Sequence, residues 1–346
     1  MGEDEQAIYD RIERQLGRPA TATLTIDDAA TVVLMRHRIV QFRGNARVKV
    51  QSPYEHFVPM EKEVFDQIAY PLVGGMPKTR INDTFAYLSA VAKDVTSSDR
   101  YILFGAGGGR QAVWDMKRLE MRADVLPDDC VWRSPYAPIL TTEPVKLIMD
   151  LAGGSIGVYS DIMQSLAPLV MATKPDGVVW WVGADLSGKD ALMRALRKIF
   201  PDQLASLTVK QLNGGHSNTP LLNGVLGNVA QDTDSQITNT EIYKSIATHQ
   251  DFRIHRYHSQ HGIEVRGNVH HIFSADCAPA FYAKSLSTDW RTHTVLFSRS
   301  RHNQAYTLTN DFLGQLLAEV CKYAVTIKQQ GYRYAWSGRP TRLIAA

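Results

Sequence analysis

The sequence contains few cysteines. Cys130, Cys277 and Cys321 are the only three among 346 residues, and they lie too far apart to suggest a disulfide framework. No Cys-x-x-Cys pair occurs, so the spacing typical of a structural zinc site is missing. This use of cysteine is typical of proteins from reducing compartments, and we expect a cytoplasmic location.

Long apolar runs are missing as well. The most apolar stretch, residues 153–173, is interrupted by Asp161, Gln164 and Pro168. A transmembrane helix needs about 20 consecutive and mostly apolar residues. The sequence therefore predicts no membrane partner, and it shows neither internal repeats nor low-complexity segments.

Net charge is small but unevenly distributed. The formal charge is +3, whereas the segment from Arg253 to the C-terminus has 12 Lys and Arg against 5 Asp and Glu, or +7, which leaves −4 for the rest. Seven of the 11 histidines also lie in this segment. Two interpretations stay open on charge alone, a polyanionic partner and a solvated basic face.

The N-terminal part predicts a mixed α/β region. Residues 31–35 and 46–50 are short and rich in β-formers, so we expect strands there, and helices at 61–70 and 84–94. A proline cluster at 127–138 indicates a boundary. We expect a lead-in domain at 1–138, an ATPase-like domain at 139–305 and a helical, basic tail at 306–346.

The centre of the chain carries a glycine-rich motif between a strand and a helix. Residues 177–182 form a continuous apolar run, typical of a buried parallel strand. Residues 183–190 follow as Gly-Ala-Asp-Leu-Ser-Gly-Lys-Asp, and residues 190–200 show helical periodicity. Glycines let backbone amides approach phosphate oxygens, and a helix N-terminus favours an anion. This order predicts a P-loop that binds ATP through Gly183, Ser187, Gly188, Lys189 and Asp190.

Asp190 departs from the usual motif, which has Ser or Thr after the lysine. That hydroxyl binds Mg²⁺, and a carboxylate is also a Mg²⁺ ligand. A carboxylate about 4 Å from a phosphate oxygen is repelled by about 4 kcal/mol at an effective dielectric constant of 20, unless Mg²⁺ lies between them. Asp190 is therefore expected either to tighten a metal site or to weaken hydrolysis.

Two further segments downstream carry candidate residues. A β-rich run at 225–230 ends in Gln-Asp-Thr-Asp, which fits carboxylates that hold Mg²⁺ and orient water, or else an acidic turn. Residues 252–266 predict a β-hairpin with histidines at its tip. This hairpin is a candidate phosphate-binding surface, formed by Arg253, Arg256, His258 and His261.

In the order of these motifs the sequence resembles superfamily 3 helicases. It is most similar to the ATPase module of primase-helicases from phages, plasmids and poxviruses, over about residues 142–299. The resemblance implies an α/β fold with an AAA+-like parallel sheet and flanking helices, preceded by a smaller mixed α/β domain. It implies a Walker B position at Asp232, with Asp234 close by, and a lysine of the following helix at Lys244.

The resemblance also implies the roles of residues near the end of the module. It places sensor 1 at Asp276, an arginine finger at Arg291 and a DNA-tracking loop at the hairpin. Lys189, Asp232, Asp234, Asp276 and Arg291 would then be catalytic, with Mg²⁺ held by Asp190 and Asp232. Asp190 and Asp276 are carboxylates where the family prefers neutral groups, and Gln231 replaces the first of two acidic residues.

The activity that the resemblance implies is ATP-driven DNA unwinding. The implied protein is a homo-oligomeric ring, a hexamer, with single-stranded DNA in its channel, in a bacterial or phage-infected cell. We expect priming to come from a separate primase, unless the chain is a fragment of a longer primase-helicase. Two alternatives stay open, a small-molecule kinase of the nucleoside monophosphate type, and a ring that binds nucleotide and DNA with little or no hydrolysis.

Overall fold

The computed structural model describes the following parts of the chain: 24–50, 55–73, 76–95, 100–108, 110–125, 130–213, 222–255, 262–265, 267–281, 288, 290–297 and 307–336. Only the backbone is described for 252–255 and 262–264. The chain divides into two compact units, Met1–Thr96 and Ser97–Ala346. The domain boundaries expected at residues 138 and 305 stay predictions.

The first unit is a mixed α/β structure. Its helices are α1 (Ile26–Arg36), α2 (Lys62–Ala69) and α3 (Lys78–Val91). Its strands are β1 (Ile39–Phe42), β2 (Asn45–Val50), β3 (His56–Pro59) and β4 (Lys93–Asp94). They form one sheet in the order β3-β2-β1-β4, in which only the β1–β4 pair is parallel. Apolar side chains from the sheet and the helices share one core, which includes Phe65 and Leu88.

The strand expected at residues 31–35 is wrong, because these residues belong to α1. Thr25 caps this helix, since its side chain accepts from the Asp28 amide at 3.2 Å and the Asp28 carboxylate accepts from the Thr25 amide at 2.9 Å. This capping box satisfies two amides that would otherwise lack acceptors. Val32 and Val33 are then buried on the inner side of the helix. The cap at Thr25, which precedes residues 31–35, thus outweighs the β-propensity of those residues.

The second unit contains the larger sheet and its helices. Its helices are α4 (Lys146–Leu151), α5 (Ile156–Leu166), α6 (Lys189–Ile199), α7 (Val209–Asn213), α8 (Thr240–Ala247) and α9 (Asn310–Gln329). Its strands are β5 (Tyr101–Phe104), β6 (Ala112–Asp115), β7 (Glu120–Arg122), β8 (Trp132–Arg133), β9 (Val178–Val182), β10 (Leu204–Ala205), β11 (Gly227–Ala230), β12 (Gln236–Ile237), β13 (Phe252–His255), β14 (Gly262–Val265), β15 (His270–Ala275), β16 (Ala280–Phe281) and β17 (Thr292–Leu296).

The larger sheet is five-stranded and parallel throughout. Its order is β10-β11-β15-β9-β17, so the strand before the glycine-rich loop lies between β15 and β17. All five residues of β9 are buried, as are all six of β15. Strands that are buried on both faces read as continuous apolar runs, which is why residues 177–182 predicted this strand correctly.

Helices cover both faces of this sheet. Trp180 points to one face, where its indole nitrogen donates to the Tyr243 hydroxyl of α8 at 3.0 Å. Trp181 points to the other face and donates to Ser165 Oγ of α5 at 3.0 Å. Successive side chains of a strand alternate between faces, so the two tryptophans anchor one helix on each side. The predicted α/β fold, a parallel sheet with flanking helices and a smaller mixed α/β region, is confirmed.

A second sheet in the same unit has the order β7-β6-β5-β8. Buried hydrogen bonds connect it to segments that precede strands of the larger sheet. The Trp114 indole of β6 donates to the carbonyl of Val170 at 2.8 Å. The Arg133 amide of β8 donates to Gln203 Oε1 at 2.8 Å, just ahead of β10.

The predicted hairpin is confirmed at the level of the backbone. Strands β13 and β14 are antiparallel, and Phe252 pairs with Val265 and His255 with Gly262. The tip, residues 256–261, lies outside the described residues. Among the helices that the structure describes, none is long and apolar enough to cross a bilayer.

Two histidines are buried in β15, next to each other in sequence. Burial in this strand lowers the pKa of His271 from 6.5 to about 3, with a further contribution from His249. Burial also lowers the pKa of His270 well below its ordinary value. The folded protein therefore keeps both imidazoles neutral at pH values where the unfolded chain binds protons.

We expect the free energy of unfolding to decrease as the pH falls from 6.5 toward about 3. The loss is about 1.4 kcal/mol per pH unit for each proton that the unfolded chain binds in excess. Above pH 6.5 this contribution is complete, because both states are then neutral. Urea unfolding of wild type and His271→Leu at pH 7, 6 and 5 tests this, and the variant should show the smaller slope. Equal slopes would contradict the assignment.

Candidate nucleotide-binding site

The carboxyl ends of three neighbouring parallel strands meet at one edge of the larger sheet. Strand β9 leads into Gly183, β15 into Asp276 and β11 into Gln231. Ala275 pairs with Val182, and Ala230 pairs with Phe273. Adjacent strands lie about 4.8 Å apart, so loops separated by about 100 residues in sequence are within about 10 Å of each other. Such an edge is where open α/β sheets bind ligands.

The glycine-rich loop has its shape because two of its residues have no side chain. Gly188 is the N-cap of α6 with φ +93°, and a Cβ there would lie 2.1 Å from the Leu151 side chain. A Cβ on Gly183 would lie 2.5 Å from the carbonyl oxygen of Phe297. These glycines are therefore required by backbone conformation and by close approach.

The loop ends at the N-terminus of α6, an 11-residue helix. The first amides of an α-helix have no acceptor within the helix, and the helix dipole adds partial positive charge there. Asp190 lies in this first turn. The loop and the helix together provide the amides that an anion such as phosphate requires.

Lys189 is almost completely buried, at 5% exposed. Its amino group donates to the carbonyl of Gly183, and to the carbonyl of Ala184 at 3.3 Å. It also forms an ion pair with Asp276 Oδ1 at 3.6 Å. The amino group thus lies inside the loop, next to the strand end where sensor 1 was predicted.

Asp190 and Gln231 contact each other directly. Gln231 Nε2 donates to Asp190 Oδ1 at 3.0 Å, and Gln231 Oε1 accepts from Arg197 Nη1 at 3.2 Å. Arg197 belongs to α6, as does Asp190, and its Nη2 donates to Ser206 Oγ at 3.0 Å. Sequence reasoning missed Arg197. The sequence did contain a sign of it, because Asp190 and Arg197 are seven residues apart and therefore lie on the same face of the helix.

The two acidic residues after β11 differ in their surroundings. Asp232 is exposed and has φ +48°, a conformation that is uncommon outside glycine. Asp234 Oδ1 accepts from the Gln236 amide at 2.9 Å and so caps the turn before β12. The acidic-turn interpretation thus fits Asp234, and Asp232 is the better candidate for a metal or water ligand.

Three buried hydroxyls surround the same strand ends, and none of them has a hydrogen-bond partner among the residues that the structure describes. They are Ser187 Oγ in the loop, Thr233 Oγ1 after β11 and Ser274 Oγ in β15. Leaving a buried polar group unpaired costs about 1–3 kcal/mol, so such groups mark places for a ligand or a water molecule. The surroundings of the loop therefore fit a polar, phosphate-like group.

No preformed metal cage exists within the described part of the chain, where no three His, Cys, Asp or Glu side chains are grouped to hold an ion. This donor set still fits Mg²⁺, because Mg²⁺ is usually bound by one or two carboxylates together with substrate phosphates and water. Asp190 and Asp232 are the carboxylates expected to take part.

The structure does not bring Arg291 to the loop of its own chain. The Arg291 carbonyl accepts from the amide of Val178, the first residue of β9, at 2.7 Å, whereas the loop follows Val182 at the opposite end. Five residues of strand span about 16 Å. Lys244 forms an ion pair with Glu241 of its own helix at 3.1 Å.

The structure describes no side chain of the four residues that were predicted to contact DNA. Arg253 lies on β13, of which only the backbone is described. Arg256, His258 and His261 lie outside the described residues. Their roles stay predictions.

Comparison with known proteins gave structural neighbours only. No family model and no curated protein matches the sequence. An A form apo structure of the NrS-1 C-terminal region matches with a TM-score of 0.46 and 15% identity, over 86% of this chain and 67% of that one. An apo structure of NrS-1 residues 305–718 matches with a TM-score of 0.47 and 14% identity, over 86% and 67%. The chain thus spans about two thirds of these neighbours, and a likeness of this size assigns no activity to it.

Gly188→Ala should destabilise the protein more than Gly154→Ala. Both glycines have positive φ, +93° and +81°, but a Cβ on Gly154 meets nothing within 4 Å. Each variant loses about 1 kcal/mol from backbone strain, and Gly188→Ala loses about 1 kcal/mol more, because the end of the buried Leu151 side chain must move away from the new Cβ. Urea unfolding measures the difference, and equal destabilisation would show that the close packing of the loop is wrong.

Proposed function

We propose that the second unit binds ATP with Mg²⁺ and hydrolyses it to drive a DNA helicase or translocase. The observation that carries the proposal is the convergence of the glycine-rich loop, Asp232 and Asp276 at the carboxyl ends of three adjacent parallel strands. Binding of the triphosphate is the step that this convergence supports most directly. Hydrolysis and coupling to DNA follow from the resemblance of the motifs.

In this proposal each residue at the sheet edge has a defined role. The amides at the start of α6 hold phosphate oxygens, and Lys189 exchanges the loop carbonyls and Asp276 for the phosphates. Asp190 and Asp232 hold Mg²⁺, which neutralises charge on the phosphate oxygens when it is bound. Asp232 is also placed to orient the attacking water.

Arg291 acts in a neighbouring copy of the chain in this proposal. Its position at the amino end of β9 and β17, about 16 Å from its own loop, fits an arginine that serves another subunit. An arginine finger supplied in trans contributes about 10³–10⁵ to the rate of hydrolysis. The proposed assembly is accordingly a ring, and a hexamer is the expected number.

DNA is the proposed polyanionic partner. The segment from Arg253 onward carries a formal charge of +7, and it includes most of the β13–β14 hairpin. We propose that Arg253, Arg256, His258 and His261 contact single-stranded DNA in the ring channel and that a separate primase supplies primers. Binding through phosphates should weaken steeply as salt concentration rises.

A second candidate is a ring that binds nucleotide and DNA with little turnover. The observation that favours it is the carboxylate of Asp276, which pairs with Lys189 where the family prefers a neutral sensor. A carboxylate there repels the γ-phosphate and competes with it for the lysine.

An ATPase assay with and without single-stranded DNA distinguishes these candidates. Wild type should produce ADP faster with DNA, and Lys189→Ala should abolish both nucleotide binding and turnover. Lys198→Ala is the matched control, because Lys198 is an exposed lysine of the same helix and should retain activity. Nucleotide binding without DNA-stimulated turnover would favour the second candidate, and stimulation by a nucleoside monophosphate would favour a kinase.

The same assay tests whether Arg291 acts between subunits. Arg291→Ala should bind nucleotide and turn over little. Mixing it with Lys189→Ala should restore part of the activity, because the mixed ring contains intact loops next to intact arginines. If mixtures show no more activity than the separate variants, the role in trans is wrong.

A further inference from the structure

Four side chains form a continuous hydrogen-bonded chain beside the glycine-rich loop. Asp190 accepts from Gln231 at 3.0 Å, Gln231 accepts from Arg197 at 3.2 Å, and Arg197 donates to Ser206 at 3.0 Å. Asp190 opens the first turn of α6 and Arg197 lies in its last turn. Gln231 joins them from the end of β11.

The orientation of the Gln231 amide follows from its partners. A guanidinium can only donate hydrogen bonds, so the amide oxygen must face Arg197. The amide nitrogen then faces Asp190, and it donates to the carboxylate oxygen Oδ1. The two ends of the amide are therefore fixed by chemistry, and this removes the usual ambiguity between its oxygen and nitrogen.

The spacing along α6 lets one amide reach both partners. Asp190 and Arg197 are seven residues apart, which is about two helical turns, so both project from the same face. Gln231 lies across this face and bridges them. Arg197 thereby holds Gln231, and Gln231 holds one oxygen of Asp190, while Asp190 Oδ2 has no hydrogen-bond partner among the described residues.

At the positions of Asp190 and Gln231, the carboxylate and the neutral group are interchanged relative to the usual motif. A hydroxyl after the lysine normally binds Mg²⁺, and the resemblance places acidic residues at the end of the opposite strand. Here the carboxylate follows the lysine and a neutral amide ends the strand. A carboxylate at position 231 would repel Asp190 at this distance, whereas an amide donates to it.

We propose that Gln231, anchored by Arg197, is a positioning residue that fixes the Asp190 carboxylate as the metal ligand beside the triphosphate. This inference rests on the proposed nucleotide site. The two departures from the usual motif then belong together, because the neutral amide of Gln231 accommodates the carboxylate of Asp190. Removing a hydrogen-bond partner of a metal ligand typically costs about 10–100-fold in metal affinity.

The test compares nucleotide affinity with and without metal. A fluorescent, non-hydrolysable ATP analogue is titrated into wild type, Gln231→Leu, Arg197→Met and Gln329→Leu, each in Mg²⁺ and in EDTA. Gln231→Leu should weaken binding about tenfold in Mg²⁺ and leave binding in EDTA unchanged. Arg197→Met keeps both Asp190 and Gln231, so it should also weaken binding in Mg²⁺, but by less than Gln231→Leu. Gln329→Leu, at an exposed position near the end of α9, should match wild type.

The outcomes separate failure of this inference from failure of the proposed function. If wild type binds the analogue in neither condition, the nucleotide site itself is wrong. If wild type binds with a metal-dependent gain and Gln231→Leu keeps that gain, Gln231 does not position the ligand. Equal weakening in Mg²⁺ and EDTA, with unchanged melting temperature, would likewise overturn the inference, because a purely structural role does not depend on metal.

Discussion

The candidate site depends on one constraint, the parallel alignment of β9, β15 and β11. Parallel strands end at the same edge, so the residue that follows each strand arrives beside the residues that follow its neighbours. The buried indoles of Trp180 and Trp181 anchor a helix on each face of β9 and so hold the middle of this arrangement in place. The loop, Asp232 and Asp276 are near each other only because these strands are adjacent.

Around this edge the charged side chains of Lys189 and Asp190 each have a partner. Lys189 lies within the loop and next to Asp276, and Asp190 accepts from Gln231, which Arg197 anchors. A triphosphate with Mg²⁺ brings both signs of charge, and it can replace Asp276 at Lys189 while engaging the remaining oxygen of Asp190. The carboxylates of Asp190 and Asp276 therefore both have partners in the fold, and in the proposed function they adapt the site to metal and nucleotide.

Much of the fold was readable from the sequence, because its signals are local. The apolar run before Gly183 and the helical periodicity after Lys189 predicted β9 and α6, and residues 252–266 predicted the β13–β14 hairpin. The strand expected at residues 31–35 was wrong because Thr25, outside that window, caps a helix. The contact of Gln231 with Asp190 joins residues 41 apart in sequence, and it depends on strand order, which no local pattern contains.

The central claim is that the three strand ends form one nucleotide site, and hydrogen exchange tests it most directly. Amide exchange is measured with and without Mg²⁺ and a non-hydrolysable ATP analogue. The account predicts protection in peptides that cover 183–190, 231–234 and 274–277 together, and unchanged exchange in the turn at 43–44 of the first unit. Saturating nucleotide that leaves 183–190 unprotected, or that protects only segments away from this edge, would contradict the account.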